Sequence, residues 1–335
     1  MIPERSLRMT ETTDDLNLRP DNLEQFIGQT VLKERLRVSV EAALHRGDVL
    51  DHVLFSGPPG LGKTTLAAII AREMGSSLHS TSAPAITRPG DLARMLTLLE
   101  KGDVLFIDEI HRLNRQCEEI LYPAMEDGVI DLVLGEGVAV RSVKIHLKPF
   151  TLVGATTRSG MLSAPLKNRF GLDLKLDFYS ADDLSTILKR TAEVLSLRLD
   201  GDATMEIAHR ARMTPREANR LLRRIRDYAT VEKVSLIQAD FVRDCLERMG
   251  IDEKGLNELD RKILRLMIDR YGGGPVGLKT LSALVDEEDR TLEEDHEPFM
   301  LRLGLIEKSP QGRRVTQAAY EHFGLEYSSS SDLFS

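Results

Sequence analysis

The chain predicts an α/β fold, a parallel sheet followed by two smaller units, on three observations. Short apolar runs alternate with helical stretches over residues 18–179, strand patterns vanish over residues 180–250, and helices followed by a hairpin occupy residues 255–327. The runs His52-Val53-Leu54-Phe55, Asp103-Val104-Leu105-Phe106-Ile107 and Thr151-Leu152-Val153-Gly154-Ala155 are almost continuously apolar. Strands buried on both faces read this way, and crossover helices on each side of a parallel sheet supply that burial.

In the second unit, Ser180-Ala181-Asp182-Asp183 reads as a cap and first turn before Leu184, opening a series of amphipathic helices. The third begins near Gly255. A helix through Leu259, Ile263, Leu264 and Met267 ends at the breaker Tyr271-Gly272-Gly273-Gly274-Pro275. Two shorter helical patterns then precede Leu305-Ile306-Glu307-Lys308, the turn Ser309-Pro310-Gln311-Gly312, and Arg313-Arg314-Val315-Thr316. Helices followed by such a hairpin suggest a winged helix. Residues 1–17 and 328–335 are polar, with too little apolar content to offset chain entropy, and are predicted to be disordered tails.

The 335 residues suit two or three domains at roughly 150 residues each. No apolar run approaches the roughly 20 residues that a membrane helix needs. Met1-Ile2-Pro3-Glu4-Arg5 leads into polar residues, so no secretory signal is predicted and the cytoplasm is the default compartment. Cys117 and Cys245 fall in no metal-ligand or disulfide spacing and read as reduced thiols. A net charge of −8 argues against coating nucleic acid by bulk electrostatics, so any DNA contact must be local or shared among subunits.

The strongest local signal is Gly57-Pro58-Pro59-Gly60-Leu61-Gly62-Lys63-Thr64-Thr65, a complete G-x-x-x-x-G-K-[ST] loop between an apolar strand and helix-forming Leu66-Ala67-Ala68. Its glycines let backbone N–H groups wrap a phosphate, and the following helix N-terminus favours negative charge. Lys63 is predicted to reach the β- and γ-phosphates of ATP, and Thr64 to ligate Mg²⁺. The bland alternative, a Gly-Pro surface turn, does not account for the strand and helix flanking it.

Leu105-Phe106-Ile107-Asp108-Glu109 puts two carboxylates at the end of a buried strand, where open α/β sheets hold ligands. Asp108 is predicted to hold the Mg²⁺ shell and Glu109 to polarise the attacking water. An Asp-Glu pair alone would read as a solvated surface; after a phosphate loop it reads as catalytic. His111 is expected to be a supporting residue, because no second histidine stands at ligand spacing.

Six segments then carry a resemblance. Asp108-Glu109-Ile110-His111-Arg112-Leu113-Asn114, Leu121-Tyr122-Pro123-Ala124-Met125-Glu126-Asp127 and Gly154-Ala155-Thr156-Thr157-Arg158 are followed by Ala164-Pro165-Leu166-Lys167-Asn168-Arg169-Phe170-Gly171. Thr214-Pro215-Arg216-Glu217-Ala218-Asn219-Arg220 and Gly272-Gly273-Gly274-Pro275-Val276-Gly277-Leu278 complete the set. In this order, between about Leu18 and Gly324, they resemble the RuvB family of AAA+ motors that drive branch migration of Holliday junctions. The resemblance implies a P-loop AAA+ parallel-sheet domain, a small helical lid domain and a C-terminal winged-helix DNA-binding head, assembled as a hexamer.

By that resemblance Thr157 is the sensor-1 residue near the γ-phosphate, Arg216 the sensor-2 arginine, and Arg169 a finger entering a neighbouring subunit's site. Leu18, Arg19 and Ile27 match the nucleotide-contacting N-terminal segment, as do Tyr179 and Pro215 around the nucleotide and Glu126, Asp127 and Gly128 in a segment approaching it. Gly60, Leu61, Gly62 and Thr65 complete the expected nucleotide contacts. Arg220, Arg223, Arg224 and Arg226 read better as a solvated or subunit-contact helix face than as a DNA surface.

Val129 to Leu134 and Val138 to Leu147 are β-rich runs around Gly135-Glu136-Gly137, read as a hairpin over residues 129–147. The resemblance makes it the docking element for RuvA, the partner that holds the junction, with the RuvC resolvase as a further partner. The tip Val138-Ala139-Val140 departs from the family's usual one. Lys308 and Arg313 stand where the family's wing has DNA-contacting cations, and Gln311 where an arginine is common. Two other classes suit a P-loop chain with a helical lid. A clamp-loader subunit lacks support from the hairpin and wing, and a nucleotide switch that needs no turnover is weakened by Glu109, since a water-polarising carboxylate serves hydrolysis.

Overall fold

The computed structural model describes residues 18–134 and 141–327. Both predicted tails and the hairpin tip Val138-Ala139-Val140 lie outside the described residues. The chain divides between Tyr179 and Ser180 into two compact units.

The first unit opens with α1 (Thr30–Arg46), β1 (Val53–Ser56) and α2 (Lys63–Glu73), then β2 (Leu78–Ser82), α3 (Pro89–Thr97) and β3 (Val104–Asp108). It continues through α4 (Arg115–Glu126), β4 (Val129–Leu134), β5 (Arg141–His146), β6 (Thr151–Thr156) and β7 (Leu172–Lys175). Five strands form one parallel sheet in the order β2-β3-β6-β1-β7. Every residue of β1 and β6 is buried, as are the first four of β3. That is why these strands read as continuous apolar runs, with no alternation. β4 and β5 pair separately and antiparallel, from Val129 opposite His146 to Leu134 opposite Arg141.

Because the sheet is parallel, Ser56, Asp108 and Thr156 all end strands on the same edge, and the loops that follow them are neighbours. Gly154 permits this closeness. A Cβ there would come within 3.0 Å of both Ile110 Cδ1 and Phe170 Cζ.

The second unit starts with four helices, α5 (Ala181–Val194), α6 (Gly201–Arg210), α7 (Pro215–Glu232) and α8 (Ala239–Arg248). Three carry side-chain N-caps: Ser180, Asp200 and Thr214 accept from the N–H groups of Asp183, Ala203 and Glu217. On the outer face of α7, Arg220 pairs with Glu217 and Arg224 with Asp227, as expected of a solvated helix surface.

The winged helix follows as α9 (Glu258–Tyr271), α10 (Leu278–Val285), α11 over residues 289–302, the wing strands β8 (Ile306–Ser309) and β9 (Gly312–Val315), and α12 (Gln317–His322). The centre of α11 is a π-turn, Leu292–His296. Pro298, which follows it, has no N–H for the carbonyl four residues earlier, and the backbone widens to compensate. The wing gains a third edge from the glycine-rich breaker: Val276 exchanges two 2.8 Å backbone hydrogen bonds with Arg313. Gly312 is obligatory there, since a Cβ would meet the Val276 carbonyl oxygen at 2.4 Å.

Candidate nucleotide site and wing

The phosphate loop leaves β1 and enters α2 through glycines at φ 142° (Gly57), 80° (Gly60) and 103° (Gly62), left-handed values that side chains disfavour. Gly57 N–H donates to the Thr156 carbonyl at 3.1 Å, tying the loop to the next strand. Gly62 has a second constraint, because a Cβ would lie 3.1 Å from the Phe26 ring. Lys63 is buried, its ammonium donating to the Gly57 and Pro58 carbonyls at 2.8 Å each. Tyr179 hydroxyl donates to the Leu61 carbonyl at 3.1 Å, so the end of the unit clasps the loop. Thr64 and Thr65 follow Lys63 in the first turn of α2, both partly buried.

Asp108 ends β3 and its Oδ1 accepts the Glu109 N–H at 2.9 Å. Glu109 adopts φ 53°, unusual for a side-chain-bearing residue, which turns the chain sharply at the strand end. His111 is buried behind it. Its Nε2 lies 3.6 Å from Glu109 Oε2, while its Nδ1 lies 2.9 Å from Thr156 Oγ1. One residue on, Thr157 Oγ1 is buried with no hydrogen-bond partner among the described residues. An orphaned hydroxyl beside a buried lysine and two carboxylates fits a phosphate ligand with its divalent ion: Lys63 and Thr157 can donate to phosphate oxygens, and Asp108 with Thr64 supplies hard oxygen ligands.

Arg169 is held on its own subunit. It donates to the Pro165 carbonyl at 2.8 Å and to Glu126 Oε2 at 2.7 Å, with its guanidinium 4.8 Å from the Tyr122 ring centre. Tyr122 is fixed in turn by Glu118, which also accepts from Ser163 at 2.7 Å. Asp127, Gly128 and Arg169 line one cleft of about 570 Å³ with His52 and Lys148. Glu126, Asp127 and Gly128 are therefore grouped with Arg169.

Leu18 and Arg19 are partly buried in the turn leading to Phe26, and Ile27 follows. Phe26 itself was not anticipated; its ring is the neighbour that excludes a side chain at position 62. In the second unit Pro215 occupies the first turn of α7 and Arg216 is exposed beside it. On the wing, Lys308 and Arg313 face each other across β8 and β9. Both are ion-paired to Glu297, a residue that nothing in the local sequence marks: Lys308 Nζ lies 2.8 Å from Glu297 Oε2, and Arg313 donates through Nε and Nη2. Gln311 is exposed at the turn.

A phosphate loop at the end of one parallel strand, an Asp-Glu pair at the end of the next strand but one and a polar residue ending the strand between them define a P-loop ATPase of the AAA+ class. Comparison with known proteins narrows the class. The Holliday junction DNA helicase RuvB P-loop domain matches residues 18–176, the RuvB AAA lid domain residues 179–252 and the RuvB C-terminal winged helix domain residues 253–324. The chain belongs to the RuvB family. Among solved structures, the Thermotoga maritima RuvB Holliday junction branch migration motor is 50% identical, with a TM-score of 0.85, covering 92% of this chain and 99% of that one. Two single-residue variants of the same Thermotoga protein match with TM-scores of 0.86 and 0.87, at the same identity and coverage.

Proposed function

We propose that this chain is the ATP-driven subunit that powers branch migration of Holliday junctions, working on duplex DNA as a homohexameric ring with RuvA and alongside the RuvC resolvase. The observation that carries the reading is the succession of three RuvB domain matches between residues 18 and 324 on a chain whose phosphate loop, acidic strand end and orphaned threonine lie at the same end of the sheet. The domains are taken as residues 18–179, 180–250 and 255–327.

The chemistry follows from the residues. Lys63 exchanges its two loop carbonyls for β- and γ-phosphate oxygens of ATP, and Thr64 and Asp108 hold Mg²⁺. Held there by Thr64 and Asp108, Mg²⁺ would supply positive charge against the phosphates during transfer. Glu109 orients and polarises the attacking water, and Thr157 donates to the γ-phosphate. Arg169 leaves Glu126 to stabilise the transferring phosphoryl group in a neighbouring subunit, and Arg216 senses the nucleotide from the lid. Leu18, Arg19, Ile27, Tyr179 and Pro215 contribute further contacts to the nucleotide. The hairpin at residues 129–147 docks RuvA. The wing cations meet phosphates, which positions duplex DNA without reading its sequence, as a motor moving along any sequence requires.

The test is ATP-dependent conversion of a synthetic four-way junction, with and without the organism's RuvA, using Lys63→Ala as the inactive control. Conversion that needs ATP, the partner and Lys63 supports the reading. Absence of conversion with a competent partner rejects branch migration and leaves the ATPase class standing.

A further inference from the structure

Two carboxylates in the second unit are almost wholly buried, and each is held by basic side chains from separate elements. Asp260, in the first turn of α9, is fully buried. Its Oδ2 accepts from Arg212 Nη1 at 2.6 Å and from Asn257 N–H at 3.0 Å, and its Oδ1 lies 2.6 Å from His296 Nδ1. Glu297, the residue after His296, has a side chain only 4% exposed and holds Lys308 and Arg313. Buried carboxylates are tolerated when paired and hydrogen-bonded in this way, and losing a partner leaves an uncompensated charge.

The ends of this network are the two places where the protein is expected to act. Arg212 lies just ahead of the Thr214-Pro215-Arg216 segment, and both Arg212 and Met213 adopt left-handed backbone, at φ 51° and 57°. Consecutive side-chain-bearing residues persist in that conformation only when their surroundings hold them there. Arg212 supplies the hold: besides Asp260 it donates to the Asp295 carbonyl at 2.7 Å, and its guanidinium stacks 4.8 Å from the Phe299 ring centre. Asp295, His296, Glu297 and Phe299 all belong to the π-turn and the helix directly after it, so the widened turn is where Arg212 engages the winged helix. A second fastening lies nearby. A Cβ on Gly255 would come within 2.8 Å of the Arg210 carbonyl oxygen, and His322 of α12 meets Asp252 at 2.9 Å.

We propose that Asp260 and Glu297 are positioning residues that lock the Arg212–Arg216 segment to the wing, making the four-helix unit and the winged helix one rigid arm between nucleotide sensor and DNA. A corollary concerns the wing cations. Lys308, with 47% of its side chain exposed, is the more open of the two to phosphate, while Arg313, 15% exposed and bound twice to Glu297, also ties the wing in its pose.

The inference rests on the DNA-motor reading for its consequence, but not for its geometry, and the experiment separates the two. Spin labels at Ser235→Cys and Gln311→Cys, both exposed positions, report the distance between the helical unit and the wing tip in the full chain. The expected distribution is narrow in the parent and broad in Arg212→Met and in Asp260→Asn, the second of which keeps an acceptor for the helix cap. In the same variants ATP hydrolysis without DNA should be retained, while junction migration per ATP consumed falls about tenfold. An unchanged distribution in both variants overturns the rigid arm, as does a broadened one with parental migration per ATP. If the parent fails to migrate junctions yet its distribution is narrow and broadens in the variants, the motor reading fails and the arm stands.

Discussion

His111 joins Glu109 to the neighbouring strand: its Nδ1 is 2.9 Å from Thr156 Oγ1 and its Nε2 is 3.6 Å from Glu109 Oε2. Thr156 Oγ1 also accepts the Arg158 N–H at 2.9 Å, so the same hydroxyl ties the His111 ring to the backbone that follows β6. The imidazole thus fixes Glu109 against the loop that carries Thr157. His111→Phe, which keeps the ring and removes both polar contacts, should lower kcat for ATP about 10²-fold by misplacing the carboxylate. Nucleotide affinity, measured with a fluorescent ATP analogue, should not change; weaker binding at unchanged kcat would contradict this role.

Asp103 organises the amino end of β3. Although burial opposes its charge, hydrogen bonds from Glu100 N–H at 2.9 Å, from His79 at 2.9 Å and from Ser77 N–H at 3.2 Å outweigh it and hold the carboxyl below its ordinary pKa. A carboxyl depressed in the folded state stabilises it at pH values above the unfolded pKa, and that contribution disappears as pH falls through the folded value. Asp103→Asn should therefore cost about 1–3 kcal/mol near neutral pH. Urea denaturation of both proteins across a pH series reads it: the gap should be constant from neutrality to about pH 5 and close in stronger acid.

The nucleotide site was legible because its chemistry is local. A phosphate loop requires specific glycines, a lysine and a hydroxyl within one turn of chain, and Asp108 and Glu109 are adjacent, so spacing alone revealed them. The wing was only half legible. Lys308 and Arg313 could be found as cations on a hairpin, but Glu297 lies in the run Glu293-Glu294-Asp295-His296-Glu297, which reads as a solvated acidic stretch. Its burial depends on β8 and β9 folding back over it, a non-local event. Phe26 beneath Gly62 and Val276 beside Arg313 escaped for the same reason. Short α12, with six residues, offers too little periodicity to read.

Both cysteines are buried, Cys117 under α3 and the sheet and Cys245 inside the helical unit, and burial raises the pKa of each thiol. Reaction with disulfide reagents needs the thiolate and access to it, and both are suppressed here. A native sample should react with Ellman's reagent only as fast as it opens, with release of two equivalents on adding denaturant. Rapid release of either equivalent from the native protein would mean that the packing around that thiol is looser than described.

Arg169 poses the sharpest test of assembly, because within its own subunit it is already engaged. Glu126, Pro165 and Tyr122 account for its contacts, yet Arg169 Nε is buried without a hydrogen-bond partner among the described residues. A guanidinium needed only for the fold would be expected to satisfy that donor as well. If its working position is a neighbour's γ-phosphate, Arg169→Ala should fold normally, bind nucleotide, and lose about 10³–10⁵ in ATP turnover. Mixing distinguishes a finger acting across subunits from a purely local role. Glu109→Gln subunits lack the carboxylate proposed to polarise water but keep Arg169, so in mixed rings an Arg169→Ala subunit would complete its site with a neighbour's arginine. Hydrolysis should reappear at intermediate ratios and vanish at either extreme. If co-assembly is verified and no ratio restores turnover, Arg169 does not act across the interface, and Glu126 becomes the place to look for its role.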